Sequence, residues 1–462
     1  METLALAPDI RLRPEKKLPI GPAFLPRLLS GGMFRQNAAE FLKENAEKYG
    51  DLVYFETLGV KIMQFSHPEL VYELLVRDAH HHHRGMAMQR AKSVLGNGLL
   101  TSEEPLHNRQ RRLAQPAFHR QRIAAYGETI THYTHKMTAG WGDGAVLDVH
   151  AEMLLLALRI VGKTLFDTDV EGEVHRIADA VDSFMGFLPL AFLPFPELIE
   201  RLPLPSMRRI RRGRAGLDEL IYRMIRERRA DPRDRGDLLS MLLASTDVEE
   251  GGVARMSDEQ VRDECLTVLL AGHETTANAL SFALLLLADN PEIQEQLAAE
   301  CDRVLGGREA TAEDYGNLKY AEQVFAEALR LYPPVWVSAR TAKEDYEYRG
   351  IPIAKGTVLA AIQFAVHRDA RWWPDPERFD PGRFAAAAKA TRPRMAYFPF
   401  GGGSRQCIGE GLAWMEGVLA LATIAQEWRL MPAPGHEGPV RLSPSISLRP
   451  KGAVPLLVEL RR

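Results

Sequence analysis

The segment Phe400-Gly-Gly-Gly-Ser-Arg-Gln-Cys407-Ile-Gly409 ends a glycine-rich loop on one cysteine, with Pro399 before it and an apolar helical pattern through Ala422 after it. A helix N-terminus carries partial positive charge, and with Arg405 nearby it favours a thiolate over a thiol. Gly401 to Gly403 let the backbone approach a flat ligand closely, since no Cβ intervenes. A lone thiolate serves as a nucleophile, as a ligand to one metal, or as nothing chemical at all. Zinc needs companion ligands at CxxC or HxxxH spacing, and covalent haem attachment needs CxxCH; neither pattern surrounds Cys407.

Around this segment stand 462 residues with 58 Lys plus Arg against 61 Asp plus Glu, a formal charge of −3. Such a balance offers no concentrated basic face, so nucleic acid is not an expected partner. Cys265, Cys301 and Cys407 are odd in number and far apart, which excludes a disulfide framework and suits a reducing, cytoplasmic compartment. No uninterrupted run of about 18 apolar residues occurs. The N-terminus breaks its leucines with Pro, Asp and Arg and reads as neither anchor nor signal peptide. Ala279 to Ala288, the most continuous apolar segment, is too short to cross a bilayer and predicts a buried core helix.

Helical spacing covers Arg35 to Lys48 and His67 to Arg77 and dominates from Arg109 to Leu331. Within that span it marks Val149 to Leu165, Glu173 to Phe187, Ile210 to Arg229, Ser257 to Asp289 and Pro291 to Val304. Strand patterns sit at Leu52 to Phe65, turning at Gly59, and return only late. There they form a hairpin around Arg349 and Gly350 within Tyr346 to Ala360, and Pro-split alternation in Val440 to Val458. A length that allows about three domains, without a fixed-period repeat or a Gly/Ser linker, reads instead as one. The expected class is mainly α with a minor β-sheet. Pro189 to Pro205 holds five prolines, so it is no continuous helix but a loop packed on the core or an apolar lid.

Phe400, Gly403, Arg405, Cys407 and Gly409 match, position for position, the FxxGxRxCxG signature of the cytochrome P450 family, which the chain resembles in the order of its motifs. The resemblance implies that family's triangular-prism fold and a b-type haem whose iron takes Cys407 as axial ligand. Thiolate ligation donates electron density and favours O–O cleavage. Glu327-Ala-Leu-Arg330 is ExxR at i, i+3 spacing, by itself a common surface ion pair. With Pro376-Glu-Arg-Phe379, which resembles PERF, it implies a Glu327, Arg330 and Arg378 cluster locking the region behind the thiolate loop. Those three are then structural.

Ala271-Gly-His-Glu-Thr275-Thr276 lies within the long helical pattern, where a hydroxyl four residues after Ala271 can bond its carbonyl and bend the helix. Alone this is a polar turn on a buried helix. It resembles the family's AGx(D/E)TT groove, which implies that Glu274 and Thr275 relay protons to the oxygen-binding side. Val268, Ala271 and Thr275 would share the haem-facing side. His107 and Arg111, at i and i+4, are similar to the family's propionate-binding helix in its His form, although a basic run is ordinarily a solvated face. Arg340 and Arg405 are the further propionate partners that the resemblance implies.

These residues together imply a soluble, monomeric monooxygenase without a transmembrane anchor, inserting one atom of O2 into an apolar small molecule by hydroxylation or epoxidation. Only about fifty residues follow Cys407, so electrons are expected from a separate ferredoxin with its reductase or a flavodoxin-like donor. The run Arg208 to Arg214 would attract an acidic donor. The expected organisation is one domain over 1–462, with a β-containing subregion at about 1–80, a helical core at about 81–345 and the thiolate loop at 398–410. Val335, Trp336, Val337 and Ile446, with Gly85 to Leu100, stand where family members contact substrate and are equally readable as core. Terpenoids and fatty acids head the substrate classes. The alternatives are a peroxygenase driven by H2O2, which should lack the Glu274 and Thr275 pair, and a non-catalytic haem-binding or gas-sensing protein, which would not need Thr275. Consecutive histidines such as His80 to His83 cannot all converge on one ion. Cys265 and Cys301 read as small apolar helix residues.

Overall fold

The computed structural model describes residues 10–11, 37–57, 59–168, 177–178, 181, 204–249, 252–436, 438 and 440–461. Outside them lie the Pro-rich N-terminal entry apart from Ile10 and Arg11, most of the expected helix Glu173 to Phe187, and Pro189 to Pro205 apart from its last two residues. Among the described residues the helices of nine or more residues are α1 (Ala38–Tyr49), α2 (Met86–Leu95), α3 (Leu106–Ala114), α4 (Arg120–Thr138) and α5 (Val149–Phe166). They continue as α6 (Pro205–Ala230), α7 (Asp258–Asp289), α8 (Pro291–Leu305), α9 (Lys319–Leu331) and α10 (Glu410–Glu427). The fold is mainly helical with small sheets, as the sequence predicts.

Two compact units divide the chain: Met1–Gln89 with Leu329–Cys407 and Leu442–Arg449, and Arg90–Ala328 with Ile408–Arg441 and Pro450–Arg462. The first is built on a five-stranded sheet of β1 (Leu52–Thr57), β2 (Val60–Phe65), β3 (His82–Arg84), β4 (Ser338–Ala342) and β5 (Val358–Ala361), in the order β1-β2-β5-β4-β3. The β2–β5 pairing is parallel and the others antiparallel. Strand side chains alternate between faces, so β1 buries both of its own. Leu52 packs with Met63, Phe65, Leu70, Leu74, Leu359 and Phe398, whereas Val53 and Phe55 meet Phe41 of α1. The hairpin of Tyr346–Tyr348 and Ile351–Ile353 turns at Arg349 (φ 50°) and Gly350 (φ 78°), two left-handed residues as a two-residue turn of this twist requires. Arg349 is a poor residue for that conformation, and its guanidinium is held by Glu73, which also accepts from the Tyr348 hydroxyl at 2.6 Å.

In the second unit α7 begins with a reciprocal cap in which Ser257 Oγ accepts from Gln260 N–H while Gln260 Oε1 accepts from Ser257 N–H. Ala279 to Ala288 are all buried. At 1.5 Å per residue such a run covers about half a bilayer core, and no helix among the described residues is long and apolar enough to cross a membrane. Helix α5 lies along α7, and a Cβ on Gly272 would stand 3.0 Å from Val161 Cγ2. Gly272 therefore sets a close helix approach.

Two pairings place strands inside the span that helical spacing dominates. Ala145–Asp148 pairs with Pro455–Leu460, itself paired with Trp428–Pro432, and Thr246–Glu249 forms a hairpin with Gly252–Arg255. The first pairing joins residues some three hundred positions apart, and nothing local in either segment signals it.

Candidate functional site

In the first unit the loop that ends on Cys407 is a backbone construction. Phe400 C=O accepts from Cys407 N–H at 3.0 Å, Phe398 C=O from Gly401 N–H at 2.9 Å, and Gly403 C=O from Gln406 N–H at 3.1 Å. Gly403 has φ +70°, and a Cβ there would stand 2.2 Å from the Leu75 carbonyl oxygen. Leu75 lies in a π-helical turn, Glu73–Arg77, that continues the short helix Pro68–Tyr72. The glycines are thus needed in part for a neighbour of the chain itself: Gly403 meets Leu75 and Gly402 meets Met395, while a Cβ on Gly401 would meet nothing within 4 Å. Cys407 is exposed at the end of this loop, three residues before α10, whose N-cap Gly409 supplies no side-chain cap. Arg405 is half-buried in the turn Gly403–Arg405. Cys265 and Cys301 are buried, and burial pushes their thiols up, Cys301 to about 12.

Behind the loop, Arg330 is fully buried and donates to three carbonyls: His367 at 2.8 Å, Pro376 at 2.7 Å and Arg378 at 3.2 Å. Its guanidinium also lies over the Trp373 ring, 5.1 Å from the centroid. Glu327, one turn earlier on α9, is equally buried. Arg378 departs from its expected role, since its side chain is exposed and only its backbone carbonyl joins the cluster. A second PxRF, Pro381-Gly-Arg-Phe384, follows five residues later, and there Arg383 is half-buried and donates to Asp375 C=O at 2.9 Å. The repeat of the pattern was the available signal.

Also in the first unit, Arg340 on β4 is buried and donates to the Ala339 carbonyl at 2.9 Å. Burial, followed by the positive charge of Arg340, pushes His82 down to about 4, so this member of the histidine run stays neutral. His82 hydrogen-bonds the Tyr346 hydroxyl at 2.9 Å, and His81 stacks on the Tyr346 ring. Trp336 packs in the core with Ala360, Ile362, Phe364 and Leu448, the core side of the two readings that its sequence position left open. Its indole N–H bonds Ser445 C=O at 2.9 Å, and Leu448 N–H bonds Pro334 C=O at 2.8 Å, so the two expected substrate segments are tied together. Val335 is exposed, and Val337 and Ile446 are half-buried.

In the second unit Thr275 Oγ1 donates to Ala271 C=O at 2.6 Å, the bond that its spacing predicts. Burial is interrupted at this turn: Ala271 is exposed and Thr275 half-buried, between residues that are otherwise buried. Glu274 is buried on the same turn, and Val268 is buried one turn earlier. His107 on α3 is buried, with Nδ1 3.0 Å from Glu104 Oε1, and Arg111 is half-buried on the same face one turn on. Two residues that the motif reading passed over fix the neighbouring loop. Asp263 Oδ2 accepts from Asn97 N–H at 2.7 Å and Glu264 Oε2 from Leu99 N–H at 3.0 Å, while Gln110 of α3 donates to Asn97 C=O at 2.6 Å. Three successive charges, Arg262 to Glu264, in a buried helix were the sign of such a role. Burial and the charge of Asp263 push Glu264 up to about 8, against the pull of the Leu99 N–H.

Among known proteins, a family model described as Cytochrome P450 matches residues 19–457. Cyclooctatin synthase of Streptomyces melanosporofaciens is 39% identical over 433 residues, 93% of each chain. Cyclooctat-9-en-7-ol 5-monooxygenase of the same organism is 38% identical over 84% of each chain. A crystal structure of the cytochrome P450DA haem domain superposes with a TM-score of 0.85 at 29% identity, covering 96% of this chain and 98% of that one.

Proposed function

The chain belongs to the cytochrome P450 family, and on that premise we propose that it is a haem-thiolate monooxygenase acting on an apolar cyclic small molecule. The observation that carries the proposal is Cys407, the exposed cysteine of three, at the end of a loop whose backbone is fixed by Phe400 and whose Gly402 and Gly403 leave no room for a Cβ. The donor set fits a haem. Cys407 offers one soft anionic ligand, and His107, Arg111, Arg340 and Arg405 offer cationic or hydrogen-bonding partners for its two carboxylates. No CxxCH is present, which favours a non-covalent b-type group held by these contacts alone. When bound, the haem supplies the electron-rich iron centre at which O2 is activated.

The chain's own residues then have separable roles. Cys407 binds and orients the group, and Glu327 and Arg330 hold the protein behind it. Thr275 holds a proton on Oγ1, parked at rest on the Ala271 carbonyl, and Glu274 on the same turn passes protons towards it. Turnover consumes O2, two electrons and two protons; one oxygen atom enters a C–H or C=C bond of the substrate and the other leaves as water. The electrons come from a separate ferredoxin with its reductase or a flavodoxin-like protein. Glu274 and Thr275 support O2 with an electron donor over H2O2 as the oxidant.

Among substrate classes, the relative named for a cyclic alkenol favours cyclic terpenoid hydrocarbons and alcohols over straight-chain fatty acids. Screening both classes for a ligand-induced spin-state shift tests this, followed by turnover with O2, a ferredoxin and its reductase. A cyclic terpenoid is expected to give the shift and an oxygenated product. Turnover with H2O2 alone and none with O2 and the donors would overturn the monooxygenase reading.

A further inference from the structure

Between Arg330 and the thiolate loop stands a residue that no motif and no proposed step uses. His367 is fully buried at the end of the short helix Gln363–Val366. Its carbonyl accepts from Arg330 Nη1 at 2.8 Å, and its Nε2 accepts from the backbone N–H of Phe398 at 3.0 Å. Phe398 C=O in turn receives Gly401 N–H, and Phe400 C=O receives Cys407 N–H. One residue therefore links the two: its backbone carbonyl takes the buried arginine and its side chain takes the loop that carries the cysteine. The ring is flanked by Tyr397 and Phe398, each with its centroid 5.3 Å away, so its plane is set by packing.

An accepting Nε2 places the imidazole proton on Nδ1 and requires the neutral ring. The surroundings agree, because burial and then the charges of Arg330 and Arg368 push His367 far below the ordinary histidine range. An apolar ring of the same size would fill the space but leave a buried N–H without an acceptor, which the loop relieves only by moving.

We propose that His367 is a positioning residue for Cys407, its Nε2 accepting from Phe398 N–H and so holding the start of the thiolate loop in the register that presents the sulfur. The proposal rests on the haem-thiolate reading of Cys407. It is tested with His367→Phe, which keeps the ring and loses the acceptor, and His367→Gln, whose amide oxygen can stand where Nε2 stands. Two readouts are taken on the purified haem protein: the Soret band of the reduced CO complex and hydrogen–deuterium exchange at the Phe398 amide. His367→Phe is expected to shift most of the CO complex to the band of a neutral-thiol or displaced ligand and to speed exchange at Phe398 by about tenfold or more, the scale of one lost buried hydrogen bond. His367→Gln is expected to restore both.

Wild-type behaviour of His367→Phe, or a His367→Gln indistinguishable from it, would overturn the proposal. If His367→Phe is not recovered folded, His367→Gln decides alone; its own failure to fold counts against the proposal, because packing rather than the acceptor would then be limiting. A Cys407→Ser protein that kept the thiolate band would instead overturn the haem-thiolate reading, and exchange at Phe398 would still judge the hydrogen bond.

Discussion

Gly403 combines φ +70° with a carbonyl oxygen 2.2 Å from where its Cβ would stand, so alanine there meets both a backbone penalty and a clash. Gly403→Ala is expected to lower unfolding free energy by about 2 kcal/mol or more and to reduce haem per chain, measured by urea denaturation and haem assay on the same preparation. Arg330 and Arg378 make a second contrast. Arg330→Ala strands three carbonyls in the interior and is expected to cost about 3 kcal/mol or more, whereas Arg378→Ala, at an exposed site, should stay within about 0.5 kcal/mol. Equal losses in the two variants would restore Arg378 to the cluster. The cysteine and its glycines were legible because tight backbone paths accept few residue types. Arg378 was misread because PxRF occurs twice within ten residues, and only burial separates the copies.

At the scale of an element, α7 shows what periodicity can and cannot reveal. Its extent followed from spacing to within one residue, and the bond from Thr275 to Ala271 followed from the i, i+4 offset. Thr275→Ala is expected to lower product formation by about 100-fold while electron consumption continues, and Thr275→Ser, which keeps the hydroxyl, to retain most of it. Product measured against donor oxidised separates these outcomes, and an unchanged ratio in Thr275→Ala would remove the residue from proton delivery. The charges of Asp263 and Glu264 in a buried helix signalled an anchoring role, but their partners Asn97 and Leu99 were not legible in advance, because they are loop backbone more than 160 residues away. Distance in sequence hid the strand Ala145–Asp148 in the same way.

At the scale of the whole molecule, two of the buried carboxyls among the described residues, Glu264 and Glu416, are each pushed up to about 8 by burial from an ordinary value of 4.5. Between those limits the folded chain holds protons that the unfolded chain has released, so stability falls as pH rises through the window. Removing one such group by Glu264→Gln or Glu416→Gln should flatten the dependence by about 1.4 kcal/mol per pH unit, read from denaturation midpoints between pH 5 and 8. Parallel curves for wild type and variant would show that the carboxyl is ionised in the folded state. The central claim concerns a different group and needs a single spectrum. Reduced wild-type protein under CO is predicted to show the red-shifted Soret band of a thiolate-ligated haem, and Cys407→Ser to lose it. Absence of that band in the wild type, or its survival in Cys407→Ser, would contradict the assignment of Cys407 as the axial ligand.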